Sequence, residues 1–346
     1  MISIAEDRGG VLWVGTYGGL NKWNRATEAF RHYRRSTDEA SGLSDNFVTS
    51  FASAPDGVFV GTVDGLGRLD RASGRFVTYR HDPGDPETLS GNRVMALHAD
   101  RQGRLWVGTR GGGLDRLDPS SGRVTRLAPL AGRPARDQLV PQLATRPDGR
   151  LEAGVTSLLE DSRGRLWIGT ISAGIYRYDP GRGTFDRYRH DPADPSSLST
   201  DRVLALHEDR AGRIWIGTYG GGLNRFDPRT GRFTAYRAAD SSSASLLSDD
   251  IWVITEDADE NLLLGSRGGG LMVWAATDRH ADRERFRSYT TREGLLNNVV
   301  YSVQADDAGK IWLGSSRGLT RLDLESGELT HYDRSHGLQS DEFNFG

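Results

Sequence analysis

Tyrosines and arginines that break an otherwise regular pattern are the side chains of this sequence best suited to recognise a ligand. In the turns after successive Gly-Thr or Gly-Ser pairs stand Tyr17, Asp64, Arg110, Ile171, Tyr219, Arg267 and Arg317. Just ahead of successive apolar runs stand Asn46, Arg93, Arg202, Asp250 and Asn298. A tyrosine ring can stack on a sugar face, and a guanidinium can grip a carboxylate or sulfate through two parallel hydrogen bonds. Gathered at one concave mouth, Tyr17, Asp64, Arg93, Arg110, Arg202, Tyr219, Arg267 and Arg317 would suit an oligosaccharide or another polar, even anionic, small molecule. Taken singly, each is also what an ordinary solvated loop carries.

The sequence offers little for catalysis. It has no cysteine, which removes disulfides, thiolate metal sites and thiol nucleophiles. The eight histidines form no constellation: His81 and His190 occupy matching His-Asp-Pro-x-Asp-Pro stretches, and His98 and His207 occupy matching apolar runs. Recurrence at one place in a repeat points to a structural role. The turns Asp100/Gly103, Asp161/Gly164, Asp209/Gly212 and Asp306/Gly309 each bring a single carboxylate, whereas calcium takes about six or more oxygens. The aspartate can instead cap backbone N–H groups while the glycine reverses the chain. No nucleophile elbow, phosphate-binding glycine loop or zinc-protease helix motif is present. The expectation is of no catalytic residue, no metal and no cofactor.

Composition narrows the class. Across 346 residues, 44 Lys+Arg face 47 Asp+Glu, a net charge of −3, which argues against a basic nucleic-acid footprint. The longest apolar runs, such as Ile251–Ile254 and Leu271–Ala276, fall far short of the ~18 residues a membrane-spanning helix needs. No direct membrane insertion is expected, and nothing at the N-terminus reads as a signal peptide. The 44 glycines are nearly twice the ordinary share of about 7%.

What positions the irregular residues is a repeat. The run Leu12–Thr16 recurs as Val58–Thr62, Leu105–Thr109, Leu166–Thr170, Ile214–Thr218, Leu262–Ser266 and Ile311–Ser315. Around each copy, four short β-type runs alternate with Asp- and Gly-rich turns, and no segment reads as a helix. Seven such units of roughly 40–50 residues predict an all-β fold, a seven-bladed β-propeller with four antiparallel strands per blade. The blades fall at about 1–33, 48–80, 94–127, 155–189, 203–237, 251–289 and 300–332. An inserted loop covers 128–154, and the tail 337–346 is expected to pack on blade one. That tail resembles the lead-in of the other blades, so deleting it should lower the melting temperature.

The unit resembles the two-component regulator propeller repeat, whose hallmark is Asp-x-x-Gly-x-Leu-Trp-Ile-Gly-Thr followed by a Gly-rich turn and Gly-Leu-x-Arg-Phe/Tyr-Asp. Asp209–Asp227, Asp161–Thr170 and Asp100–Asp118 carry it; Phe59 and Leu263 replace its tryptophan in blades two and six. The resemblance implies the periplasmic sensor domain of a hybrid histidine kinase or diguanylate cyclase-type receptor. It also implies a downstream β-sandwich and signalling modules as partners. No output module appears in the sequence, and its two ends read as those of an excised domain. Streptogramin-cleaving propeller lyases share the Asp-x-x-Gly-x-x-Trp turn, but there the tryptophan is typically followed by Phe-Thr-Glu; here Val, Ile or Leu and then Gly-Thr/Ser come after it. A non-enzymatic sensor is the reading preferred, with a lyase or a protein-interaction scaffold as the alternatives.

Overall fold

Seven antiparallel sheets account for every described strand, each made of four strands consecutive in the chain. The computed structural model describes residues 3–7, 9–24, 27, 29–38, 41–54, 57–126, 154–238 and 245–339. Blade five is representative: an inner strand Val203–Glu208, a second strand Ile214–Thr218, a third Leu223–Asp227 and an outer strand Arg232–Tyr236. The second strand is buried along its whole length in all seven blades. A strand covered on both faces by neighbouring sheets must be apolar on both, which is why Ile-Trp-Ile and Leu-Trp-Val recur there. Burial of each large apolar side chain contributes about 1.5–3 kcal/mol. The glycine in the same strand has a steric reason: a Cβ on Gly108 would lie 2.5 Å from Cγ1 of Val155 in the next blade.

Inner strands of blades two to seven pack in succession, and the inner strand of blade one, Ile4–Glu6, meets that of blade seven, Val300–Ala305, so the ring closes. Among the described residues no strand is exchanged between the chain ends. Closure comes from side chains: Ile4, Leu12, Trp23 and Phe30 of blade one form one core cluster with Tyr301, Trp312, Leu319 and Tyr332 of blade seven. Leu338 joins that cluster, and Gln339 lies beside Gly18 and Gly19 of blade one. Residues 340–346 of the predicted tail, and the insertion apart from Gly154, lie outside the described residues.

At the end of the channel where inner strand turns into second strand, one hydrogen-bond scheme repeats. The turn aspartate accepts backbone N–H groups on Oδ1, as Asp161 does from Arg163 and Arg165, both at 3.0 Å. Its Oδ2 accepts the tryptophan indole N–H six residues on, at 2.8–2.9 Å for Trp13, Trp106, Trp167, Trp215 and Trp312. In blade six, where Leu263 replaces the tryptophan, Asn261 Nδ2 donates to Asp257 Oδ2 at 2.8 Å instead. Burial works to raise the pKa of Asp7, Asp100, Asp161 and Asp209, but the donated hydrogen bonds outweigh it and hold all four below the ordinary value. A second contact links neighbouring blades. A glutamate at the end of the inner strand accepts the backbone N–H just after the previous blade's turn aspartate: Glu160 from Arg101, Glu208 from Ser162, Glu256 from Arg210. Glu6 completes the series by accepting from Asp307 at 3.0 Å, across the seam between the chain ends.

Among the described residues, two short elements depart from the all-strand reading, the first being a 3-10 turn, Arg334–His336, after the last strand. Between the third and outer strands of blade six the chain forms a five-residue helix, Ala276–His280. It delivers Arg279 into a fully buried position, where the guanidinium donates to Asp209 of blade five and to Glu256 at 2.6 Å. The two carboxylates supply the local stabilisation that hydrophobic periodicity could not reveal.

Candidate functional site

The opposite end of the channel is built from departures from the repeat. In blades two to seven the register between inner and second strands slips by one residue near this end. Such a bulge leaves one residue without a partner and re-aims its side chain. The residues left over are Thr49, Met95, Thr156, Leu204, Trp252 and Tyr301. Four of them, Met95, Thr156, Leu204 and Trp252, line a cavity of about 220 Å3 between blades three and six. Arg110, Ile171, Arg202 and Tyr219 complete its wall from the turns.

Tyr219 lies at the centre of a constellation. The Arg202 guanidinium carbon stands 3.8 Å from the centroid of its ring, and Arg267 Nη1 donates to its hydroxyl at 3.0 Å. The loop that presents it is pinned from both sides: Gly220 N donates to Asp250 Oδ1 at 2.8 Å, and Arg237 Nη2 donates to the Gly220 carbonyl at 2.8 Å. Gly222, at φ +72°, closes this loop where a Cβ would approach the Tyr236 carbonyl oxygen to 2.2 Å. The site is therefore held in shape before any ligand arrives.

Across the mouth the character changes from cationic to aromatic. Trp252 meets Tyr301 edge-on with ring centroids 5.2 Å apart, and Tyr17 meets Phe47 edge-on at 4.3 Å. Burial, with the neighbouring Tyr301, pushes the Tyr17 hydroxyl up to about 12, and that hydroxyl has no hydrogen-bond partner among the described residues. Burial likewise raises Tyr301, with the charge of Arg267 working against it.

Of the eight residues singled out in the sequence, Arg110, Arg202, Tyr219 and Arg267 are brought together, and Tyr17 sits on the aromatic side. Arg93 contributes its carbonyl to Arg110 N at 2.8 Å, but its side chain does not line the cavity. Asp64 and Arg317 fall one residue beyond the equivalent positions, which Val63 and Ser316 occupy. Asp64 instead accepts from Asn92 Nδ2 at 3.3 Å and lies 3.6 Å from Arg80. Arg317 is exposed and away from the cavity. The bulged residues were missed, although they left a signal. The first inner-strand residue is Val or Ile in blades two to seven, while the next is Thr, Met, Thr, Leu, Trp and Tyr in turn.

The histidines keep to the framework. His81 and His190 set Nδ1 2.6 and 2.8 Å from the matching carbonyls of Leu89 and Leu198. Burial pushes His207 down to about 4. Among the described residues no group of three His, Asp or Glu side chains is arranged to hold a metal ion. No helix among them is long and apolar enough to cross a membrane.

Comparison with known proteins agrees with this anatomy. Residues 88–111, 147–172, 197–220 and 294–317 match the two-component regulator propeller family. Over 51 residues, 15% of this chain, the sequence is 39% identical to histidine kinase P4 of Formosa agariphila, of which the match covers 4%. The extracellular domain of a hybrid two-component system from B. thetaiotaomicron superposes with a TM-score of 0.70 at 23% identity, covering 91% of this chain and 38% of that one. Virginiamycin B lyase from Staphylococcus aureus superposes at 0.59 with 13% identity, covering 87% of this chain and 86% of that one. At these identities the likeness is one of fold, and the chain spans well under half of the two-component relatives it matches. Seven four-stranded blades around a channel with a walled mouth define a seven-bladed β-propeller. Four stretches of its repeat match the model of the two-component regulator propeller family.

Proposed function

We propose that this propeller is the ligand-sensing part of a bacterial signal-transduction receptor, working on the periplasmic side and binding a polar small molecule, carbohydrates included, at the mouth between blades three and six. A downstream β-sandwich and a signalling module of the parent receptor would be its partners. The observation that carries the reading is the pinned Tyr219, with Arg202 on its ring and Arg267 on its hydroxyl, beside a walled cavity. Ordering such side chains costs entropy that an idle loop has no reason to spend. Sensing would follow if a ligand bridging blades three to six altered how this face packs against a neighbouring module.

The lyase alternative draws support from the fold likeness to virginiamycin B lyase, which covers most of both chains. Elimination requires a group that takes a proton near neutral pH. The cavity lining offers arginines, a tyrosine and apolar side chains, with no carboxylate or histidine among the described residues. Binding fits that lining better than turnover.

A thermal-shift screen against glycans and metabolites tests the proposal. A ligand at 100 times its dissociation constant should stabilise by about 2.7 kcal/mol, and Tyr219→Ala should abolish the shift. Hits that Tyr219→Ala leaves unchanged would move the site elsewhere, and turnover of a hit would favour the lyase.

A further inference from the structure

We infer that the mouth selects a carboxylate carried on a flat apolar body, rather than a neutral sugar; this rests on the mouth being the binding site. Arginines elsewhere in the ring are commonly matched with acids: Arg104 with Asp100, Arg165 with Asp161, Arg213 with Asp209, and Arg177 with Asp186. Arg110, Arg202 and Arg267 meet at one mouth, and no ion pair joins any of the three to a carboxylate among the described residues. Three neighbouring cations repel one another, and a chain of net charge −3 has acids to spare for neutralising them. An anion bound between them would relieve that repulsion.

The rest of the wall sets the body of that anion. Met95, Ile171, Leu204 and Trp252 are apolar, and Ile171 is exposed. A neutral sugar needs acceptors as well as donors for its hydroxyls, usually acids or amides. Among the described residues, the side chains lining this cavity include no Asp, Glu, Asn or Gln. A guanidinium lying flat on an aromatic ring keeps its in-plane N–H groups available for two-point pairing with a carboxylate. The Arg202 guanidinium carbon stands 3.8 Å from the centroid of the Tyr219 ring, close enough for such stacking, and the hydroxyl bond from Arg267 holds that ring. The anionic head therefore belongs among the guanidiniums and the flat body against Trp252 and Ile171.

The test is a fluorine NMR titration of the intact chain with 4-fluorophenylacetate, 4-fluorophenylacetamide and, as a neutral sugar competitor, cellobiose. The expected result is carboxylate binding at least tenfold tighter than the amide, weakened by added salt and not displaced by cellobiose. Arg202→Gln and Arg267→Gln should each weaken the carboxylate about tenfold with an unchanged melting temperature, and Arg229→Gln, on an outer turn, should leave it unaltered. Equal binding of acid and amide, or displacement by cellobiose, would overturn the anion assignment while keeping the mouth as the site. Carboxylate binding that survives both arginine variants and Tyr219→Ala would overturn the site as well. Absence of binding by any of the three at millimolar concentration would also reject the anion assignment.

Discussion

The two ends of the channel are made from the same seven units and have opposite chemistry. At the turn end, polar groups are satisfied by a scheme that recurs from blade to blade: aspartate to indole, aspartate to backbone, glutamate to the neighbouring turn. At the mouth, no two bulged residues of adjacent blades are alike, and three guanidiniums form no ion pair with a carboxylate among the described residues. A repeat protein must keep whatever joins one unit to the next, so the joint is copied, and the surface that touches no neighbouring unit is free to diverge. The turn end holds the ring together and the mouth is where recognition can be written.

Perturbations should separate the two ends, beginning with the largest effect. Asp209→Ala removes the acceptor shared by Trp215, Arg213 and the buried Arg279. Removing one partner of a buried ion pair costs up to about 3–5 kcal/mol, and Glu256, which still pairs with Arg279, offsets only part of it, so the denaturant midpoint should fall sharply; a fall no larger than that of a surface variant would contradict the scheme.

Next in size is a pH effect inside blade three. Asp115 is fully buried and accepts from Ser90 N at 2.8 Å and Ser90 Oγ at 2.9 Å; burial pushes it up to about 7 against the hydrogen bonds from Ser90. Blade five has Asn224 at that place, accepting from Ser199 N and donating to Ser199 Oγ. Between its ordinary value of 3.8 and about 7 the folded state holds a proton that the unfolded chain releases. The stability from Asp115 is therefore complete below pH 4 and is lost as pH rises through 7. His207 slopes the other way: with a folded pKa of about 4 against 6.5 unfolded, its contribution is lost as pH falls below 6.5. Asp115→Asn should leave only the second slope, raising the melting temperature by a few degrees at pH 8 and hardly at all at pH 4. An equal rise at both would show that charge is not the cause.

The seam between the chain ends gives a smaller effect. Glu6→Ala removes the acceptor for Asp307 N and should cost about 1 kcal/mol, read as a drop in the denaturant midpoint. Glu6→Gln, which keeps an acceptor, should recover most of it. At the mouth the expected stability change is the smallest. Arg110→Gln should shift stability by less than about 0.5 kcal/mol, since exposed side chains without a buried partner rarely matter more; a larger loss would make that arginine part of the framework.

Legibility in the sequence divides along the same line. The blade count, the strand order and the capping turns could be read because Asp, Gly and Trp recur at fixed spacing. The indole partner of each aspartate was in view, yet alternation alone does not tell that a tryptophan N–H folds back six residues. The mouth was legible by its departures: Arg110, Tyr219 and Arg267 occupy equivalent turns, and Arg202, just ahead of an inner strand, meets Tyr219 through its carbonyl and its guanidinium. Asp64 and Arg317 stand one residue off, because each is the second residue after its Gly-Thr or Gly-Ser pair, the first being Val63 and Ser316. The bulged residues escaped notice because a one-residue slip in register leaves hydrophobic alternation nearly intact. Arg279 could not be foreseen, as its two carboxylates come from different blades.

The most direct test of the division is methyl NMR of isoleucine-labelled protein during titration with 4-fluorophenylacetate. Ile171 lines the mouth cavity, whereas Ile214 and Ile311 open the second strands beside the turn aspartates. The Ile171 methyl signal should move progressively to saturation while those of Ile214 and Ile311 stay in place. Movement of Ile214 or Ile311 with Ile171 unchanged would contradict the account.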